Sequence, residues 1–245
     1  MSVVCLEYLL VVALSFFFHL SAYAQPQVEA LNWCEQANTS LRNKEGGTIN
    51  CQDVNKRCVR MNNYWCQKHG SSPWQGTPDA SGRDGNRDVD GHAIFSSVDW
   101  SARAIAVDIR AKYRRGLTSA VQIAAQYSPW CDTLGSKAVL SGSGRSCKDG
   151  RALPPASFAG PLCEAPKTTK PSSKDCRTGC NCPPAVAKML VKGLNVDVNA
   201  DLQLFDTEGR PLPNLNQFLK NLALQEQGIY VESSVIESGV NKLAK

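Results

Sequence analysis

The cysteines are the feature that most restricts how this chain can fold. The sequence contains 11 of them. Cys5 lies in an N-terminal apolar segment, and the others are spread over residues 34–182. An even number of cysteines in an exported chain is typical of a disulfide framework. We therefore predict a fold in which distant segments are tied together by up to five disulfides.

Zinc binding is the alternative use of clustered cysteines. Cys176, Cys180 and Cys182 are close in sequence, but their C-x3-C-x-C spacing differs from the paired C-x2-C of zinc sites. His69 and His92 stand at no ligand spacing from them. The pattern favours disulfides, and we predict no metal and no cofactor.

The N-terminal segment has the features of a secretory signal peptide. An apolar run at residues 9–20 precedes an Ala-Tyr-Ala sequence that ends at residue 24, the small-x-small pattern that signal peptidase recognises. The segment before the run carries Glu7 and no Lys or Arg, which is unusual for a signal. An uncleaved anchor helix is the alternative, but the run is shorter than the roughly 20 residues of a membrane span. We predict that residues 1–24 are removed, that the mature chain has no membrane span, and that it is periplasmic or secreted.

Charge is unevenly distributed along the chain, whose formal net charge is +5. Basic residues concentrate at residues 55–70 and 100–116, whereas the tail from residue 194 is net acidic. In an exported protein, a basic middle predicts peptidoglycan, another anionic envelope polymer or a lipid headgroup as partner, before nucleic acid. An ordinary solvated face explains the same charges equally well.

Composition divides the chain into three parts after the signal. Residues 25–130 show helical periodicity and are predicted to form a helical domain. Residues 131–184 are rich in Gly, Ser, Pro and Lys and lack apolar periodicity, so we expect their six cysteines to hold this extension in place. Residues 185–245 are predicted to form a small α+β unit.

The clearest helix prediction covers residues 98–115. Trp100, Ala104, Val107 and Ala111 recur at helical spacing. A Ser-Ser-Val-Asp sequence before the helix resembles a capping box, and a glycine after it is a stop signal. Thr118 is the expected N-cap of a following helix that reaches residue 127. Further helices are predicted at residues 28–41, 53–61, 185–191 and 215–222, and strands at residues 93–96, 201–205 and 229–231.

Residues 86–91 resemble the start of a calcium loop. Asn86, Asp88 and Asp90 fit N-x-D-x-D-G, but the twelfth position is Ser97, where calcium loops place a bidentate Glu. Asx turns explain the same residues equally well. The adjacent His92 is expected to be a turn or surface residue. The chain has no phosphate-binding loop, and two histidines after the signal together with cysteines expected in disulfides disfavour a serine or cysteine triad.

Aromatic residues concentrate in the middle of the chain. Tyr64, Trp65 and Trp74 could stack on sugar rings, with Lys68 and Arg60 meeting acidic groups. A core role is the alternative, because large aromatic side chains supply much of the burial in a small domain.

Three short sequences in this region resemble known families. They are Asn-Asn at residues 62–63, Trp-Gln-Gly at residues 74–76, and Phe-Ser-Ser at residues 95–97 ahead of a helix. The same order is found in bacterial glucosaminidase or peptidoglycan-hydrolase domains and in phage virion structural proteins with a lysozyme-like fold. Arg-Ala at residues 103–104, Gly-Leu-Thr at residues 116–118 and Ser-Pro at residues 128–129 resemble the second group.

The resemblance implies a lysozyme-like fold that grips a glycan strand. In the hydrolases a glutamate upstream of the Asn-Asn pair acts as general acid. Glu45 and Glu35 are the candidates here, and Glu45 is preferred because two glycines follow it. A solvated loop glutamate is the alternative. The residues implied for substrate binding are Asn62, Asn63, Tyr64, Trp65 and Trp74.

Together these patterns predict an exported, mainly α (α+β) protein with a lysozyme-like helical domain that binds or cleaves peptidoglycan glycan strands. Whether it is an enzyme is left open. The alternative is a non-catalytic structural or interaction protein of the envelope, stapled by disulfides, whose tail serves a protein partner.

Overall fold

The computed structural model describes residues 29–54, 56–70, 73–78, 86–127 and 183–244. Helices dominate, and the described strands form one two-stranded antiparallel sheet, so the mainly α (α+β) class is confirmed. The predicted signal peptide and residues 131–182 of the predicted extension lie outside the described residues. The elements are α1 (Trp33–Ser40), β1 (Leu41–Arg42), a 3₁₀ turn (Cys51–Asp53), α2 (Arg57–Arg60), α3 (Val98–Arg114), α4 (Ala120–Tyr127), α5 (Pro183–Leu190), α6 (Asn214–Gln227), β2 (Tyr230–Val231), α7 (Ser233–Asn241) and a 3₁₀ turn (Lys242–Ala244).

The sheet joins the first and last parts of the described chain. Leu41 pairs with Val231 and Arg42 with Tyr230. Next to this pair, Arg42 Nε lies 2.6 Å from Glu232 Oε1. The strand predicted at residues 229–231 is therefore present, and β1 is its partner.

One hydrophobic core contains residues that precede positions 128–182 in the sequence and residues that follow them. It contains Ile105 and Ile109 of α3 together with Leu219 of α6 and Ile236 of α7. α7 lies directly on α3, because a Cβ added at Gly239 would sit 2.5 Å from Ala102 Cβ. The C-terminal elements thus cover a face of the long central helix α3.

α3 has nearly the predicted bounds. Its C-terminus is a Schellman motif, in which Gly116 N–H donates to Tyr113 O and Leu117 N–H to Lys112 O. Gly116 has φ +81°, a backbone conformation that favours glycine. At the other end Ser97 occupies the N-cap position without a side-chain cap bond, because its hydroxyl contacts Asp99 instead.

The start of α4 differs from the prediction by one residue. Ser119 Oγ accepts from Gln122 N–H at 3.4 Å, and Gln122 Oε1 accepts from Ser119 N–H at 3.1 Å. These reciprocal bonds are a capping box. The cap is therefore Ser119, not Thr118.

Two disulfides are present in the described chain. Cys34–Cys51 ties α1 to the following 3₁₀ turn, with Cα atoms 5.1 Å apart. Cys58–Cys66 ties α2 to the loop after it, with Cα atoms 5.4 Å apart. The prediction of disulfides is confirmed for these four cysteines, and the six from Cys131 to Cys182 lie outside the described residues.

Several other predicted elements are shorter than expected. The helix predicted at residues 28–41 is α1, and the one predicted at residues 53–61 is the single turn α2. The strands predicted at residues 93–96 and 201–205 appear only as isolated bridges. In the described ranges, no helix is long and apolar enough to span a bilayer.

Candidate functional site

The four residues from Asn62 to Trp65 lie inside the protein. All four side chains have no exposed surface. Asn62 adopts a left-handed backbone conformation with φ 52°, which asparagine tolerates better than most residues. Its Nδ2 donates to Asn32 Oδ1 at 2.9 Å and to Phe95 O at 3.2 Å. The residue thereby joins the chain before α1 to the chain before α3.

Asn63 links a second pair of segments through hydrogen bonds. Its Nδ2 donates to Gln67 O and Ala93 O, both at 2.8 Å, and its Oδ1 accepts from Gln67 N–H at 2.8 Å. A buried amide satisfied in this way is costly to remove, because its partners would lose their hydrogen bonds. Asn63 thus holds the loop at residues 62–67 against the segment that leads into α3.

Tyr64 and Trp65 anchor the same loop to three helices. The Tyr64 hydroxyl is 2.8 Å from Ser40 Oγ in α1. Trp65 Nε1 donates to Leu219 O of α6 at 2.9 Å, and Trp65 O accepts from the Tyr127 hydroxyl of α4. The structure therefore gives these residues supporting positions, and a direct contact with substrate stays a prediction.

Trp74 is the predicted binding residue that keeps an exposed surface. Its ring is half-buried and packs against the small apolar cluster of Ala93, Phe95 and Ala104. Its Nε1 donates to Lys68 O at 2.9 Å, and its carbonyl accepts from Thr77 Oγ1 at 2.8 Å. The indole is thus fixed through its Nε1 atom, and the Trp74 backbone is fixed by Thr77. Part of the ring surface remains in solvent.

Trp100, in the first turn of α3, packs on the same cluster and is also half-buried. Gly76 lies against it so closely that a Cβ at Gly76 would be 2.1 Å from Trp100 Cγ. We call Trp74, Gly76 and Trp100 the tryptophan patch. Trp74 and Trp100 pack on one cluster, and the missing side chain at Gly76 leaves room for the Trp100 ring.

Two cations lie near the Trp100 ring. Lys242 Nζ is 5.4 Å and Arg103 Cζ 6.0 Å from the ring centroid, distances at which cation–π attraction operates. Lys242 is also 2.7 Å from Asp99. Burial raises the pKa of Asp99, but hydrogen bonds from Lys242, Ser97 and Ser238 lower it by more, so that Asp99 has a net lowered pKa. Asp99 therefore stays ionised and holds Lys242 beside the ring.

The two candidate catalytic glutamates are exposed. Glu45 lies in a loop closed by Asn43, whose Oδ1 accepts from Glu45 N–H at 3.0 Å. Glu35 lies in the first turn of α1, where a negative charge stabilises a helix. A general acid needs a carboxyl group withdrawn from water. Both positions lack those surroundings, and catalysis by either residue stays a prediction.

A second group of titratable residues lies on the loop that resembled a calcium site. Donor atoms of Asp88, Asp90 and His92 lie within 4.8 Å of one another. Asp88 Oδ1 accepts from the N–H groups of Asp90 and His92 at 3.0 and 2.7 Å, which is Asx-turn geometry. Arg57 contacts both carboxylates. A metal ion could use these three donors only by displacing the guanidinium, so we assign the group a structural role.

No protein-family model matches the chain, and no curated protein matches it. Functional inference therefore rests on the geometry of the tryptophan patch. In the sequence, Trp100 is one of the residues whose spacing predicts α3, and no binding role is predicted for it. The signal that could have revealed it is its spacing from Arg103, three residues later on the same helix face.

Proposed function

We propose that this protein is an exported, disulfide-stapled module with a lysozyme-like fold that binds peptidoglycan glycan strands at the tryptophan patch. The observation that carries the proposal is Trp74, a rigidly held ring that is still partly exposed. Carbohydrates are bound by aromatic faces that cover the apolar side of a sugar ring, and a fixed ring loses little entropy on binding. The two disulfides of the described chain support an oxidising location outside the cytoplasm.

Charge around the patch suits an anionic polymer. Lys68 is exposed next to Trp74, and Arg103 and Lys242 flank Trp100. Arg60, expected from the sequence to meet acidic groups, instead pairs with Glu29 at 3.0 Å. Of the two cations expected to meet acidic groups, Lys68 is therefore the one that lies exposed beside the patch.

Binding to insoluble purified peptidoglycan tests the proposal. We expect the wild-type chain to sediment with it and the Trp74→Ala variant to lose up to about tenfold in affinity, since one stacked ring contributes about 0.5 to 1.5 kcal/mol. Trp74→Phe keeps a flat ring and should retain most of the binding. Leu31→Ala, which shortens another exposed apolar side chain, is the matched control and should bind like wild type. Equal binding by Trp74→Ala and wild type would reject the patch.

A zymogram with the same cell wall tests cleavage. Exposure of Glu35 and Glu45 favours binding without clearing. Clearing that disappears in Glu45→Gln would identify the protein as a hydrolase with the general acid implied by the resemblance. Clearing that survives both Glu45→Gln and Glu35→Gln would place the catalytic carboxyl elsewhere.

The second candidate is a non-catalytic envelope protein that binds another protein. Full burial of the four residues from Asn62 to Trp65 favours it, because the motif shared with glycan-gripping domains then serves only the fold. This candidate predicts that no cell-wall fraction sediments the chain, and that a protein partner is recovered from an envelope extract in a complex that withstands washing.

A further inference from the structure

A stripe of side chains runs from the tryptophan patch along the outer face of α3. Its members are three or four residues apart, so they lie one above another on the helix. None of them is buried, whereas the opposite face, with Ile105 and Ile109, is completely buried. In order, the stripe consists of Trp100, Arg103, Val107, Arg110 and Arg114.

The acidic residues of α3 do not neutralise this stripe. Asp99 pairs with Lys242 at 2.7 Å, and Asp108 pairs with Lys112 one turn later. Among the described residues, Arg103, Arg110 and Arg114 have no ion-pair partner. The three guanidinium groups therefore make no ion pair in this part of the protein.

The turn that borders the far end of the stripe carries two acids and one cation. Gly209 lies beside the arginines, where an added Cβ would be 3.4 Å from Arg114 Nη2 and 3.5 Å from Arg110 Cδ. The acids of this turn, Asp206 and Glu208, both pair with Arg210, at 2.5 and 2.8 Å. The nearest acidic turn thus has one negative charge in excess, which offsets at most one of the three arginine charges and leaves the others available.

Like charges along the stripe also affect one another. Burial, followed by the positive charge of Arg110, lowers the pKa of Arg103. The two guanidinium groups thus repel each other, and an anion placed between them would relieve that repulsion.

We infer that Arg103, Arg110 and Arg114 form a track that binds the carboxylates of the stem peptides on a peptidoglycan strand whose sugar ring is held by Trp74. The inference rests on the proposed function and names the groups that the strand would offer. At 1.5 Å per residue the track is about 16 Å long, enough for several carboxylates of an extended polymer. Guanidinium groups suit this role because they bind carboxylates through two parallel hydrogen bonds.

Binding of the full chain to two ligands tests the track. One is intact peptidoglycan, and the other is the same material after enzymatic removal of its stem peptides. We expect the triple variant Arg103→Gln, Arg110→Gln, Arg114→Gln to bind intact peptidoglycan about tenfold more weakly than wild type, as summed from three exposed ion pairs. Both proteins should bind the stripped glycan equally. Wild-type binding to intact material should fall with added salt, and that of the triple variant should fall much less.

The control variant removes three exposed charges elsewhere on the described chain, through Lys44→Gln, Lys188→Gln and Lys192→Gln. It should match wild type on both ligands. Equal loss of affinity in the two triple variants would overturn the track, because net charge alone would then explain binding. A thermal melt of each variant verifies that it is folded. We expect the substitutions to leave folding intact, because the side chains that they change lie on the solvent face.

The outcomes separate the two proposals. If Trp74→Ala weakens binding to stripped glycan but the arginine variant binds intact material like wild type, the track is rejected and the patch stands. If wild type binds neither ligand, the proposed function itself fails. Arginine-dependent binding to vesicles containing anionic lipid, without arginine-dependent binding to peptidoglycan, would also reject the track in favour of a membrane surface.

Discussion

His92 is a buried histidine with charged neighbours on several sides. Its Nδ1 lies 3.2 Å from both carboxylate oxygens of Asp88. Burial lowers the pKa of His92, the Asp88 charge raises it, and the positive charges of Arg57 and Lys68 lower it, with a net decrease. Because Arg57 also contacts Asp88, the carboxylate already has a cation and does not need a protonated imidazole.

A pH dependence of stability follows from this environment. The unfolded chain has its histidine pKa near 6.5, above the folded value, so it binds the proton more readily. The free energy of unfolding should therefore decrease as the pH falls from 7.5 through 6.5 to 5.5, a range above the titration of ordinary carboxylates. Urea denaturation at these three values measures the slope. His92→Gln should flatten it, whereas a stability that rises towards pH 5.5 would contradict the assignment.

Individual residues also show that residue type alone does not distinguish a binding role from a core role. Asn62 and Asn63 were polar, and Tyr64 and Trp65 were aromatic, which are the residue types of a sugar-binding site. The same types serve equally well in a core when backbone carbonyls are placed to accept their hydrogen bonds, as Ala93 O and Leu219 O do here. The partner of Trp65 lies 154 residues away, so no local pattern could indicate its burial.

At the scale of elements, helix limits were easier to predict than helix faces. α3 ends just before Gly116, as the glycine predicts, because a helix stop signal depends on local sequence alone. Of the four residues whose spacing predicted the helix, only Ala104 is buried, whereas Trp100, Val107 and Ala111 are half-buried or exposed. The residues that face the core are Ala102, Ile105 and Ile109. A helix with apolar residues on two sides shows the period without showing which side faces the core.

The contact between the Gly76 loop and α3 gives an element-scale prediction. Gly76 and Gly91 have almost the same φ, +83° and +84°, but only Gly76 has neighbours for an added Cβ. Alanine at either site incurs the left-handed backbone cost of about 1 to 2 kcal/mol. Gly76→Ala must also displace Trp100, which should lower the free energy of unfolding by about 2 kcal/mol more than Gly91→Ala. Urea denaturation of both variants measures the difference, and equal losses would show that the loop does not rest on Trp100.

At the scale of the whole molecule, composition suggested a separate C-terminal unit because periodicity returns after residue 184. What periodicity cannot show is which surface covers a helix. In the structure α6 receives the Trp65 indole, β2 pairs with β1, and Gly239 of α7 lies on α3. The N-terminal part alone would therefore leave one face of α3 and an edge of β1 uncovered.

A shortened chain tests this dependence. A chain that ends at residue 212 lacks α6, β2 and α7, so the core around Trp65 loses its hydrogen-bond acceptor and much of its apolar cover. We expect it to lose the near-UV circular dichroism of packed aromatic rings and to unfold without a cooperative transition. A chain that ends at residue 241 is the matched control. It keeps α7 and loses the last turn with Lys242 and Leu243, so it should unfold cooperatively at a lower temperature, since Asp99 loses its cation and the core loses one apolar side chain. A sharp transition in the chain that ends at residue 212 would mean that the rest of the protein folds without α6, β2 and α7, and would contradict this dependence.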